Sequence, residues 1–234
     1  MWAGTAAYLL EFPAYRGQGQ GYMENDTFKL IDFLESHEVE IFDILVTART
    51  LMATACVIGL ILSLWFLWRL IGPFPAFAAM MLIAVDPYVI GQNRLYSHEG
   101  LMSVLVLLSW LSFFHYLRAG RRWSSLLVSG IAAGLAALTK ITSLGLLPLI
   151  GVFWLAAVWR ERPQQELKKH LLSSVWPLLA WAVVLAVVFI ALWPAAWSDP
   201  VGRVAYMIDH TRGFGGGAGA DSYNWGAAAG RVWD

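Results

Sequence analysis

Charge is scarce in this chain and cysteine nearly absent. Asp, Glu, Lys and Arg make up 14% of its 234 residues, where a water-soluble domain carries about a quarter, so a soluble globular domain is excluded. Cys56 is the single cysteine and sits in an apolar run; a disulfide framework and a multi-thiolate metal site are both excluded. The formal net charge is +0, which leaves no electrostatic footprint for nucleic acid. No basic stretch precedes the apolar start at residues 1–10, and Glu11-Phe12-Pro13 stops it, so it is not a secretory signal. About ten residues are too few to span a membrane, which leaves an interfacial or re-entrant helix.

What the chain does have is apolar length. Hydrophobic residues make up 59% of it, with 13 tryptophans, a residue that favours lipid headgroup level. The pattern predicts an all-α, polytopic transmembrane protein with about six spans, near 45–68, 73–91, 99–117, 124–140, 142–159 and 171–193. Flanking them are an extracytoplasmic loop with interfacial helices at 1–44 and a second extracytoplasmic loop at 194–234. A surface helix is expected over 26–37. Val201, Val204, Ala205 and Ile208 have the spacing of an amphipathic helix over about 200–212. Pro148 and Pro177 fall inside spans and are expected to kink them. Gly130 and Gly134 form a small-xxx-small face suited to close helix packing.

Basic residues set the orientation. Arg69, then Arg118, Arg121 and Arg122, then Arg160, Arg162, Lys168 and Lys169 fall on one side. The short connections on the other side carry only Arg94 and Lys140. Positive charge stays inside, so the second side and both termini are extracytoplasmic. An outer N-terminal stretch of this length implies a further span ahead of Met1.

The polar island at 92–100 lies between two apolar runs on that outer side. Arg94, His98 and Glu99 are costly at a membrane surface unless they pair, bind or react. Lys140 and Asp86 end neighbouring spans on the same side. Two cations with carboxylates at one face suit an anionic lipid headgroup, the cations holding phosphate oxygens and the carboxylates positioning a metal or an acceptor. Simpler roles stand beside these. Glu99 and His98 fit a helix N-terminus behind Ser97, and Arg94 and Lys140 can snorkel to headgroups. Asp86 is expected in a structural ion pair with Arg94 or Lys140. Arg49 is expected to anchor its span at the outer interface, and His115, near the cytoplasmic end, to be structural.

Ala48-Arg49, Asp86-Pro87, Arg94, an acidic residue opening the next span and Leu138-Thr139-Lys140 follow one another in an order that resembles the GT-C membrane glycosyltransferases. The nearest likeness is to glycosyltransferase family 39, the dolichyl-phosphate-mannose protein mannosyltransferase-like group. Trp193-Pro194-Ala195-Ala196-Trp197-Ser198-Asp199-Pro200 is similar to that group's W-P-A-x-W-x-D-P segment, and Met1-Trp2-Ala3-Gly4 to the middle of its H-P-G-x-x-T-x-W stretch. The resemblance covers nearly the whole chain. It implies transfer of a sugar from a polyprenyl-phosphate donor to a protein or lipid acceptor, with inversion, on the extracytoplasmic face of a bacterial plasma membrane. It places Arg94 and Lys140 at the donor phosphate. Glu99 takes the place of the group's usual aspartate, as a catalytic residue organising the site, in some members through a divalent metal ion. The group's general base precedes the segment where this chain starts, so the resemblance also implies a central piece of a longer transferase.

A second reading keeps the same helical frame without catalysis: a catalytically incomplete, transferase-derived scaffold or accessory subunit of a larger membrane protein complex. A transporter fits less well, because no pair of interrupted spans repeats between halves.

Overall fold

The computed structural model describes residues 2–12, 34–94, 98–160 and 167–194, with single positions between 197 and 205. The expected surface helix over 26–37 lies outside these except for its last turn, as does the amphipathic helix beyond residue 205. All regular structure among the described residues is helical. Eight α-helices follow in order: α1 (Trp2–Glu11), α2 (Ile41–Ile71), α3 (Pro73–Ala84), α4 (Pro87–Arg94), α5 (His98–Arg118), α6 (Trp123–Thr139), α7 (Leu146–Arg160) and α8 (Leu167–Ala191). Among the described residues, three segments are long and apolar enough to cross a membrane: Ile41–Ile71, His98–Arg118 and Thr142–Arg160. Three shorter apolar helices, Pro73–Ala84, Trp123–Thr139 and Val175–Ala191, accompany them. The chain is an integral membrane protein of the helical class.

Two of the predicted spans differ in detail. The stretch 73–91 is broken between α3 and α4 at Val85-Asp86. Pro87 lacks an amide hydrogen, and its ring drives the preceding residue out of the helical region, so the helix must stop there. The span from 142 opens with a 3-10 helix, Ile141–Gly145, before α7. Pro148 therefore falls in the first turn of α7, where no amide donor is needed. Pro177 does lie within α8.

The chain divides into two units, residues 1–188 and 189–234. In the first, α1 packs on the start of α2 through Ala7, Phe12, Leu34, Ile44 and Ala48, and the Thr47 hydroxyl donates to Glu11 Oε1. α2 runs parallel to α5, with Gly59 lying directly against Val104 and, further along, Phe66 against His115. α5 and α6 form an antiparallel pair joined by a tight turn in which Gly120 takes φ +70°. Their buried serines bond across the pair. Ser109 Oγ donates to Ser129 O at 3.0 Å, Ser129 Oγ to Ser109 O at 2.8 Å, and Trp181 Nε1 of α8 to Ser129 Oγ at 2.9 Å. Each such bond between spans is worth about 0.6–2 kcal/mol in a membrane. Around this seam Phe113, Leu126, Ile150, Trp154 and Trp181 form the main core.

α6 and α8 approach closely because α6 presents Gly130 and Gly134. A Cβ at Gly134 would lie 2.8 Å from Leu185 O and from Val188 Cβ, and one at Gly130 would meet Val184 and the Trp181 carbonyl. The outward surfaces are apolar: Trp65, Trp68, Phe74, Leu82, Val183 and Val187 are exposed, as lipid-facing side chains are in a protein of this class.

In the second unit, Trp197 Nε1 donates to Ile190 O at 3.1 Å, and the rings of Phe189 and Trp193 meet at 5.1 Å.

The glycine contacts yield a stability prediction. Gly134→Ala forces α6 and α8 apart and is expected to cost about 1–3 kcal/mol, lowering the melting temperature of the protein purified in detergent. Gly151→Ala, on α7 with nothing within 4 Å of its Cβ position, is expected to leave it unchanged or slightly raised.

Candidate active site

Lys140 owes its place to the abruptness of the α6–α7 connection. α6 ends at Thr139 and the 3-10 helix begins at Ile141, so Lys140 alone is extended, with φ −156° and ψ 127°. Its amide still reaches Ala136 O at 3.1 Å, and its carbonyl accepts from the Ser143 amide at 3.0 Å. With the backbone satisfied on both sides, the side chain leaves the end of the helix pair as a free arm. It meets α5. The Lys140 ammonium donates to Glu99 Oε1 in an ion pair whose two side chains are 35% and 33% exposed.

Glu99 is the second residue of α5, in a first turn where a carboxylate is favoured by the helix dipole. Its carbonyl accepts from Ser103 Oγ at 2.9 Å. The 3-10 helix lies along the next turn of α5, with Thr142 Oγ1 directed at Met102 Sδ, 3.9 Å away. Ser143, 8% exposed, holds a hydroxyl without a hydrogen-bond partner among the described residues. A cation, a carboxylate and a buried hydroxyl thus gather where α5, α6 and the 3-10 helix meet.

Asp86 caps a helix, and of the two ion-pair partners expected for it the Arg94 side chain lies outside the described residues. Asp86 Oδ1 accepts the amides of Tyr88 at 2.8 Å and Val89 at 3.1 Å, which makes it the N-cap of α4 with Pro87 in the first helical position. Among the described residues it forms no ion pair, and Lys140 is engaged by Glu99 instead. Asp199 makes a similar capping bond: its Oδ1 accepts the Gly202 amide at 2.9 Å, at the helical turn at 201–202. Of Arg94, the last residue of α4, only the backbone is described, so the expected phosphate contact of its side chain lies outside the described residues.

Arg49 is half-buried, and its Nε has no hydrogen-bond partner among the described residues. The register that sets Gly59 against Val104 puts Arg49 about five residues further out along the bundle than Glu99, roughly 7 Å at 1.5 Å per residue.

A divalent ion does not fit the side chains that are described. Among them no three His, Cys, Asp or Glu residues converge, and the one carboxylate at the site is bound to an ammonium. A hard cation needs about six oxygen ligands. His115 sits near the opposite end of α5, about 24 Å from Glu99 by helical rise, packed on Phe66 and bonded to Ser125 Oγ at 2.9 Å.

The partnership of Glu99 with Lys140 was missed by sequence reasoning, which placed the two on one face and offered Lys140 or Arg94 as the partner of Asp86. A signal was there. In an antiparallel hairpin, residues equidistant from the turn face each other, and Glu99 and Lys140 lie equally far from the turn that holds Gly120.

A family model described as Dolichyl-phosphate-mannose-protein mannosyltransferase matches residues 31–193. No curated protein and no solved structure matches the chain.

Capping can be told apart from charge pairing at Asp86. Asp86→Ala is expected to lower stability by about 0.5–2 kcal/mol, whereas Asp86→Asn, which caps equally well without charge, is expected to stay near wild type. Thermal melting of the three purified proteins reads the difference. Equal losses for both variants would mean that the carboxylate's charge matters after all.

Proposed function

The chain belongs to the dolichyl-phosphate-mannose-protein mannosyltransferase family, membrane glycosyltransferases of the GT-C type, and on that premise we propose that it transfers a sugar from a polyprenyl-phosphate donor to a protein or lipid acceptor. The end that carries Glu99 and Lys140 is the extracytoplasmic one, since the loops rich in arginine lie at the other end and remain in the cytoplasm. The observation that carries the reading is the Glu99–Lys140 pair itself: a cation at a membrane-facing site, kept in place by a carboxylate that stands where a phosphate oxygen would sit.

The chemistry follows from exchanging one anion for another. A donor phosphate presented at the outer leaflet competes with Glu99 for the Lys140 ammonium. The acceptor hydroxyl attacks the anomeric carbon from the side opposite the phosphate, the bond from that carbon to the phosphate oxygen breaks, and configuration inverts. A carboxylate base takes the acceptor's proton. Negative charge grows on the leaving phosphate as the bond breaks, and Lys140 stabilises it where it develops; Arg94, at the end of α4, adds a second cation from the same side. Glu99, released from Lys140, positions the acceptor. Most of the rate gain therefore comes from charge stabilisation and alignment.

Sugar transfer from a polyprenyl-phosphate donor, assayed in membranes containing the full-length protein, tests this. Lys140→Ala is expected to lower turnover by about 10²–10³-fold, and Lys140→Arg to lose less. Glu99→Gln removes the competitor for Lys140, so the donor KM is expected to fall together with kcat. Transfer at the wild-type rate by Lys140→Ala would refute the proposal.

A further inference from the structure

The other end of the bundle holds a second convergence of charge, which the transfer reaction does not use. Arg69 lies in the last turn of α2, its guanidinium stacked over the Trp65 ring with Cζ 5.1 Å from the ring centroid. Trp65 in turn lies 5.9 Å from the His115 ring of α5. Arg122, at the N-cap position of α6, is three residues from Ser125, whose hydroxyl bonds His115. Phe66 of α2 and Ser125 of α6 both touch that imidazole, and Arg69 and Arg122 each lie three residues beyond them toward the same end of the bundle. Three helices thus bring two exposed guanidinium groups to one buried histidine. Among the described residues no carboxylate pairs with either arginine; the ion pair they do contain, Glu99–Lys140, lies at the opposite end of the bundle.

We propose that Arg69 and Arg122, with Trp65 as a wall and His115 as a floor, form a binding site for the phosphate headgroup of an anionic phospholipid. Like charges gathered from different helices repel one another. Such an arrangement is stabilised by an anion lying between them, and guanidinium groups match phosphate oxygens in bidentate geometry. The open N-terminus of α6, with no acidic residue in its first turn, adds to the positive potential. The choice of lipid over a soluble anion rests on the surroundings. Trp65, Trp68 and Trp123 are each about half exposed, and indole rings favour the boundary between headgroups and acyl chains, so the site opens sideways onto lipid. Basic clusters between membrane helices hold anionic headgroups by this combination of charge and position.

Lipid retention by the purified full-length protein tests the site without any transfer assay, so its outcome is independent of whether sugar is moved. The protein is exchanged into micelles holding equal amounts of phosphatidylglycerol and phosphatidylcholine, and the lipids that remain bound are weighed by native mass spectrometry. The wild type is expected to retain phosphatidylglycerol preferentially, and the double variant Arg69→Gln/Arg122→Gln to lose that preference by about tenfold or more. The double variant Arg69→Lys/Arg122→Lys, which keeps the charge, is expected to retain a preference, as is Arg160→Gln, which removes a basic residue of the same end at the close of α7. Excess inorganic phosphate is expected to displace none of the bound lipid. The site is overturned if the glutamine double variant keeps its preference, if Arg160→Gln loses as much, or if inorganic phosphate displaces the lipid.

Discussion

In a medium without water, a polar side chain that finds no partner costs several kcal/mol, and the pairing of α5 with α6 answers that constraint at three levels. Glu99 meets Lys140, Ser109 meets Ser129 and His115 meets Ser125, one rung after another along two antiparallel helices. The innermost rung recruits α8 through the Trp181 indole. The outermost leaves a cation and a carboxylate at the bilayer surface. Site and frame are thus one device: the register that satisfies serines in the interior also brings Lys140 to Glu99.

Much of the frame could be read from the residues, because apolar runs of span length have few other uses. Where the reading fell short, proline and aspartate chemistry decided the matter. Asp86-Pro87 looked like a charged residue near the end of one span, and the structure uses it to end one helix and cap the next. Asp199, in the other motif carrying this dipeptide, accepts the Gly202 amide in the same capping manner. Segments that look like family signatures are here, in part, helix starts, and a local pattern does not say which of the two roles is being read. Pro148 was displaced from mid-span to a first turn by a 3-10 helix that no periodicity signals.

The candidate site was half legible. Glu99 and Lys140 stood out as charges in apolar surroundings, but which of the outer carboxylates Lys140 would take depends on how far each lies from the turn that joins α5 and α6. Hydrophobic pattern fixes the existence of both helices without fixing that distance closely, since their ends are uncertain by a residue or two. The basic end was legible only as a topological signal. Its convergence on His115 depends on the parallel packing of α2 against α5, a contact between segments about fifty residues apart in the chain.

That parallel packing also bears on the height of the molecule. At about 1.5 Å per residue, the 31 residues of α2 reach roughly 46 Å, against about 30 Å of hydrocarbon. With Gly59 fixed beside Val104, the surplus emerges beyond the start of α5, on the side of Glu99. α1 braces this protruding length with a small apolar core of its own. The bundle therefore carries a buttressed post that rises well past the level of Glu99 on the same side.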